Sequence, residues 1–413
     1  MNEEQLRKTG YRVKKWGITE NVEALIEGTA EYPIMYRALG TEPKTQHPFN
    51  LHGDIRIEGK AVTDTLAQNA DLIPHIADEL VNRGINHVIG SGLGTSQFVA
   101  QVAAYAYAKF SGWVADQEDA VEFQMYARPY DYVRSVFMAY SGSGSTPDSN
   151  RAAQKAKDAG AYVVAFTSIE GSPLSQIADE NIVCAGGYDT GGSDTFHYAT
   201  RLAASQMLAL EIGRRVKPGA WDYDELADQL RSTGIWMDSA FEAVDARCHS
   251  IARRMKGARA ILTVGSGAQL GTAEELSLKF EEMAHIPTHP MCWGRHIHGA
   301  LGLTNELIYT IIIAPPGEAY EHMIDIARVT QMLKSSSIAI VAEDDERIAP
   351  MVDDVIRMPK MEENIFSVPA ILPGQLLPYW CAVEQGGINP DCQRSNIPRY
   401  ARVWNWLFPP NTH

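Results

Sequence analysis

Short apolar runs alternate with amphipathic stretches along most of this chain. Leu72 to Leu80 carries apolar residues at helical spacing. His87-Val88-Ile89 then leads into Gly90-Ser91-Gly92-Leu93-Gly94-Thr95-Ser96, and Gln97 to about Lys109 is again helical in pattern. Ser135 to Tyr140 is a continuous apolar run of the kind buried on both faces of a parallel sheet, and a Ser/Gly loop follows it at once. Ala152, Ala153, Ala156 and Ala159 fall near helical spacing, Gly160 suits the helix end, and Tyr162 to Phe166 makes the next buried strand. Strands alternating with helices predict a doubly wound α/β domain.

The pattern then restarts. Ala260 to Val264 enters Gly265-Ser266-Gly267 and a helix from about Gln269 to Ala284, with later strands at Ile308 to Ile313 and Ser337 to Val341. A period of about 175 residues indicates a duplicated domain rather than a solenoid. The expected organisation is a helical extension over 1–59, a first domain over 60–225, a second over 226–385 and a tail over 386–413, with Lys217 to Ala220 as the linker.

Composition narrows the class. The chain has 413 residues, 45% hydrophobic and 21% charged. It lacks the roughly 18 uninterrupted apolar residues of a membrane span. Its polar N-terminus does not resemble an export signal, and its five cysteines show no CxxC spacing, so a cytoplasmic protein with reduced thiols is expected. A formal charge of −15 argues against nucleic acid or an anionic membrane as partner. Any bound anion must therefore be gripped locally, by amides and hydroxyls.

Ser141-Gly142-Ser143-Gly144-Ser145-Thr146 is the place for such a grip. Four hydroxyls surround two glycines that let the amides turn inward, and Thr146-Pro147-Asp148 reads as a helix start with Thr146 as cap. Ser96, after the neighbouring strand, falls at the same end of the sheet, where open α/β folds bind ligands. By composition alone the loop could equally be only a tight turn. Neither a P-loop nor a dinucleotide fingerprint is met.

These residues also carry a resemblance. Ser141-x-Ser143-Gly144-x-Thr146-x-Asp148, with Gly94-Thr95-Ser96 upstream, resembles the sugar isomerase (SIS) domain. Glu275-Leu276-Ser277-Leu278-Lys279-Phe280-Glu281-Glu282, then Gly294-Arg295-His296-Ile297-His298-Gly299 and Gln375 to Tyr379, resemble the isomerase half of glucosamine-6-phosphate synthase. The resemblance implies two flavodoxin-like SIS domains in tandem. It also implies a phosphorylated or otherwise anionic sugar held by Ser96, Ser141, Gly142, Ser143 and Thr146, and a homodimer whose site lies at the subunit interface. No cofactor or metal is called for.

Glu275, Lys279 and Glu282 stand four and three apart, on one helical face. Ordinarily that spacing is a solvated salt-bridge stripe. The resemblance makes Glu282 the base moving a proton between sugar C1 and C2, Lys279 its neighbour, His298 the ring-opening acid and Glu275 part of the substrate site. His285, His289, His296 and His298 could in principle ligate a metal, but Pro287 and Pro290 interrupt the first pair. In the second half Ala314-Pro315-Pro316-Gly317 replaces the hydroxyl loop, so one phosphate site per chain is expected.

The tail, with Arg394, Arg399 and Arg402 but no lysine, resembles that of deglycases acting on 6-phosphorylated fructosyl amino acids, where these arginines, Arg399 among them, could hold a carboxylate. A ketosamine 6-phosphate deglycase is therefore the expected activity. Aldose-ketose isomerisation of a sugar phosphate or sulfo-sugar is the first alternative. A sugar-phosphate-sensing protein is the second, although no helix-turn-helix precedes the domains.

Overall fold

The computed structural model describes residues 44–407. Two five-stranded parallel sheets form its frame. The first contains β1 (His87–Gly92), β2 (Val114–Asp119), β3 (Ser135–Tyr140), β4 (Tyr162–Thr167) and β5 (Glu180–Val183), in spatial order β2-β1-β3-β4-β5. The second contains β6 (Ile261–Val264), β7 (Thr288–Met291), β8 (Tyr309–Ala314), β9 (Ser336–Ala342) and β10 (Asp354–Met358), in order β10-β9-β8-β6-β7. Counted within its own half, each sheet has the flavodoxin order 2-1-3-4-5, so the internal repeat is a duplicated α/β fold.

Central strands are apolar because helices cover both sheet faces. Every residue of β3 is buried, as the continuous Val-Phe-Met-Ala run requires. The edge strand β2, Val-Ala-Asp-Gln-Glu-Asp, is exposed at Val114 and half-exposed beyond it, and too polar to read as a strand. It is held by its ladder to β1, from His87 opposite Val114 to Gly92 opposite Asp119. That same ladder extends β1 through Gly90 and Ser91, residues whose sequence reads as a turn. A Cβ on Gly90 would approach the Ala100 Cβ to 3.1 Å, so glycine here lets the next helix lie close on the strand.

The helices following β1 and β6 occupy corresponding places. Gly94 and Gly267 precede them with φ of 54° and 59°, a backbone that favours glycine. Thr95–Ala106 and Ala268–Lys279 pack on each other, and a Cβ on Gly271 would lie 2.7 Å from Val102. Both stay helical as far as their periodicity suggests, but the regular α-helix stops earlier. Each ends in a π-helical turn, Tyr107–Ser111 and Phe280–Ala284, closed by a left-handed residue, Gly112 and His285. Such turns are uncommon and recur at functional sites.

Two long helices, Phe196–Val216 and Tyr223–Arg254, flank the Lys217–Ala220 stretch. The second packs along Ser367–Gln385, which is buried over most of its length despite internal Pro373 and Pro378. At the N-terminal side, Asn50–Arg56 is capped by a distant residue: Asp391 accepts from the amides of Asn50 and Leu51 at 3.0 and 2.8 Å. The C-terminal segment is thereby fastened to the start of the described chain. No described helix is long and apolar enough to cross a membrane.

Candidate active site

The Ser141–Thr146 loop leaves the C-terminal end of β3 and is tied to the turn after β4. Gly142 accepts from the Ser168 amide at 2.8 Å, and Gly144 accepts from the Leu174 amide at 2.9 Å. Gly144 has a φ of 62° and lies so close to Ser172 that a Cβ would collide with it. Ser141 is buried, while Ser143, Ser145 and Thr146 are half-exposed at the rim. Thr146 occupies the cap position of Pro147–Asp158, but its side chain makes no capping bond. The Thr146 hydroxyl is thus not committed to the helix as sequence suggests. Instead the Ser143 Oγ accepts from the Ser145 amide at 3.2 Å, folding the loop on itself.

Ser96 sits in the first turn after β1, buried, and accepts from the guanidinium of Arg201. Its neighbour Thr95 reaches the other half of the molecule. Thr95 Oγ1 donates to Glu275 Oε1 at 3.2 Å and lies 3.0 Å from Lys279 Nζ. Lys279 in turn stands 3.3 Å from Glu275 Oε1 and 2.8 Å from Glu282 Oε2. The three residues on one helical face are therefore a linked set, and the set is not a solvated stripe. The side chains of Glu275 and Lys279 are wholly buried, whereas that of Glu282 is 21% exposed.

Burial and charge divide these groups. Burial pushes the Glu275 carboxyl up to about 7, with Glu282 and Asp194 adding repulsion and Lys279 opposing it. Desolvation alone would neutralise Lys279, yet Glu275, Glu282 and Asp194 together hold its ammonium protonated, above its ordinary value. One cation thus bridges a buried carboxylate and a partly exposed one.

Glu282 opens on a cleft of about 660 Å³ walled by Leu278, His285, Ile286 and Pro287 on one side and by Arg394, Tyr400, Val403 and Trp404 on the other. Arg394 is held there by a 2.8 Å bond to the Tyr400 hydroxyl. Burial and the Arg394 charge press the His285 imidazole down to about 4, so it is neutral at physiological pH. Arg399 is exposed and does not line the cleft.

His298 lies elsewhere. It ends the short helix Trp293–Ile297 after the edge strand β7, is exposed, and makes no side-chain bond to Glu282 or Lys279 within the described chain. His296 is buried against Thr304 Oγ1 at 2.9 Å, and His289 faces Arg295, so the four histidines do not converge. At the corresponding loop of the second half, Glu363 occupies the Glu318 amide at 3.0 Å, filling with a carboxylate the place an anion would need.

A match to the SIS domain model covers residues 83–211 and again 254–383. The chain belongs to the SIS-domain family. Its two SIS domains are each built around one of the sheets above. Over 391 residues the chain is 27% identical to the glutamine–fructose-6-phosphate aminotransferase (isomerizing) of Thermococcus kodakarensis, covering 94% of this chain and 63% of that protein. The Pyrococcus horikoshii protein of the same name is 30% identical, with 81% and 55% covered. The chain thus spans less than two thirds of the length of these relatives. In fold it is similar to the C-terminal domain of glucosamine-fructose-6-phosphate aminotransferase from Francisella tularensis, at TM-score 0.77 and 19% identity over 85% of this chain and all of that one. It is also similar to tagatose-6-phosphate ketose/aldose isomerase from Escherichia coli, at TM-score 0.70 and 16% identity, covering 89% and 98%.

Sequence reasoning missed a buried group behind the first SIS domain's loop. Asp189, Asp194, His197 and Arg201 lie in and just after the segment Asp189 to Thr195, whose Gly, Ser and Asp content reads as an ordinary loop. Asp189, Asp194 and His197 could by proximity hold a metal. The hydrogen bonds oppose that. His197 Nδ1 is 2.8 Å from Asp189 Oδ2, and Nε2 is 2.6 Å from the Gly187 carbonyl, so both ring nitrogens face acceptors. Despite desolvation, these carboxylates raise the imidazole to about 10.

Proposed function

We propose that this SIS protein moves a proton between C1 and C2 of a 6-phosphorylated ketosamine, with Glu282 as base, and so releases an amine from a fructosyl-amine 6-phosphate. The observation that carries the reading is the chain of contacts from Thr95, beside Ser96, through Lys279 to Glu282. It links the residue beside Ser96 to one partly exposed carboxylate, Glu282.

In the reaction, Ser96, Ser141, Ser143, Thr146 and the amides about Gly142 hold the anion. Glu282 takes a proton from C1, and the electron pair moves to give an enaminol. Return of the proton to C2 makes the C1 imine, and water adds across that bond to release an aldose 6-phosphate and the amine. Lys279, 2.8 Å from Glu282 Oε2, holds the carboxylate in place. His298, exposed on its own chain, would serve the site of a second copy, which makes the working unit a homodimer. The cleft beside Glu282 suits the substituent on nitrogen: its walls are largely apolar, and Arg394 is placed to meet a carboxylate.

A second reading rests on the same base. Proton transfer without carbon–nitrogen cleavage is aldose-ketose isomerisation, and the Escherichia coli structural neighbour is named for that reaction. The deciding measurement incubates the protein in deuterated water with fructoselysine 6-phosphate, fructose 6-phosphate and a 6-sulfo sugar, following amine release and deuterium uptake separately. Amine release from the first compound is expected. Uptake without release would overturn the deglycase reading in favour of the isomerase. Glu282→Gln should abolish both signals while leaving fructose 6-phosphate bound; surviving exchange would remove Glu282 as the base.

A further inference from the structure

Behind the hydroxyl loop lies a closed set of charges that the proposed chemistry does not use. Arg201, on the helix Phe196–Val216, is fully buried. Its guanidinium donates in three directions: from Nη1 to Ser96 Oγ, from Nη2 to Asp194 Oδ2 at 2.6 Å, and from Nε to the His197 carbonyl at 2.6 Å. The His197 ring, with a side chain 6% exposed, stands between Asp189 and Asp194. It also fills the space that a side chain at residue 142 would occupy, since a Cβ on Gly142 would lie 2.7 Å from His197 Nδ1. One residue of the loop is therefore glycine because an imidazolium braces the backbone there.

We propose that Arg201 and His197 are the positioning residues of the anion subsite, Arg201 by directing the Ser96 hydroxyl and His197 by bracing the loop at Gly142. The inference rests on the reading of that loop as the anion site. A serine hydroxyl has one hydrogen to give and two lone pairs to receive. Arg201 occupies a lone pair, so the Ser96 proton is left to point away from the guanidinium. A charged donor on the oxygen also polarises the O–H and strengthens the bond it gives.

The two cations are balanced by Asp189 and Asp194, so the set is neutral as a whole. It organises neutral donors rather than supplying a free positive charge to the ligand. Asp194 is held ionised, well below the usual carboxylate range, by Arg201 and His197 against the cost of its burial.

The test is a binding cycle with inorganic phosphate and with fructose 6-phosphate as probes, read by calorimetry. Ser96→Ala and Ser143→Ala test the loop itself. Arg201→Lys keeps the charge but loses the fork, and the paired change Arg201→Gln with Asp194→Asn removes both charges together, so that no carboxylate is stranded. Each Arg201 variant is expected to weaken phosphate about tenfold, as loss of one charge-assisted bond would. KM for the phosphorylated substrate should rise with it, while kcat falls by less than half that factor. Adding Ser96→Ala to either Arg201 variant should cost little more, because both act on one hydroxyl. If the serine variants lose phosphate and the Arg201 variants do not, the inference fails and the anion site stands. Unchanged binding in both serine variants would overturn the two together. Full additivity of Ser96 and Arg201 would show that the guanidinium does not act through the serine.

Discussion

Lys279 Nζ lies 2.8 Å from Glu282 and 3.3 Å from Glu275. One cation, itself wholly buried, thus joins a carboxylate in the core to the carboxylate that borders the cleft. Lys279 is the shared counter-ion of both, and a buried charge left without a partner destabilises a fold by about 3–5 kcal/mol.

Lys279→Met should therefore fail in two separable ways. Thermal and denaturant unfolding are expected to show a loss on the order of 3 kcal/mol, since Glu275 loses its counter-ion. Combining Lys279→Met with Glu275→Gln should restore most of that stability, the partnerless carboxylate being gone. Proton exchange should remain at least about a hundredfold down in the double variant, because Glu282 still lacks its cation. Recovery of exchange along with stability would reduce Lys279 to a structural role.

His298 is exposed and is not among the residues walling the cleft beside Glu282, which makes a mixing experiment informative. Glu282→Gln and His298→Asn are each expected to be inactive. Unfolded together and refolded, they should regain about a quarter of the native activity if a symmetric dimer builds each site from both subunits, because half the dimers are then mixed and each has one intact site. No recovery, with dimers demonstrated by sedimentation, would place base and acid on one chain.

Glu58 sets a pH dependence of stability. It is fully buried; its Oε1 accepts from Gln375 Nε2 at 3.1 Å, and its other oxygen has no hydrogen-bond partner among the described residues. Desolvation first, then repulsion from Glu275, Asp189 and Asp194, pushes it up to about 8. The folded protein therefore keeps this proton in a range where the unfolded chain has released it. Its contribution is fully present below the ordinary glutamate value and is lost as pH rises through about 8. Glu275 and Asp54 slope the same way, so the comparison must be with a variant. Glu58→Gln retains an acceptor for Gln375 and cannot ionise. Its melting temperature relative to the native chain should rise steadily between pH 5 and pH 9, and a pH-independent difference would show that Glu58 titrates normally.

Much of this architecture was legible in the chain, for physical reasons that differ between elements. The apolar runs Ser135 to Tyr140 and Tyr162 to Phe166 could only be buried strands, and their recurrence announced the duplicated sheet. Gly94 and Gly267 marked the turns into paired helices. The spacing of Glu275, Lys279 and Glu282 put them on one face, and that periodicity survived even though the regular helix stops at Lys279 and Glu282 lies in a π-helical turn.

What tertiary structure alone decided was burial and partnership. The polar edge strand β2 exists because β1 offers it a ladder, not because its residues favour one. Whether Glu275 and Lys279 formed a solvated stripe or a buried pair depended on the packing of Thr95–Ala106 against their helix, which periodicity cannot report. Arg201 was invisible for the same reason: a single arginine in a long helix acquires a meaning only when folding brings Ser96 and Asp194 to its two nitrogens. Sequence determined which groups the chain could offer to a sugar phosphate. Only the fold, by withdrawing some of them from water and leaving Glu282 at an opening, decided which are held in place and which stay accessible.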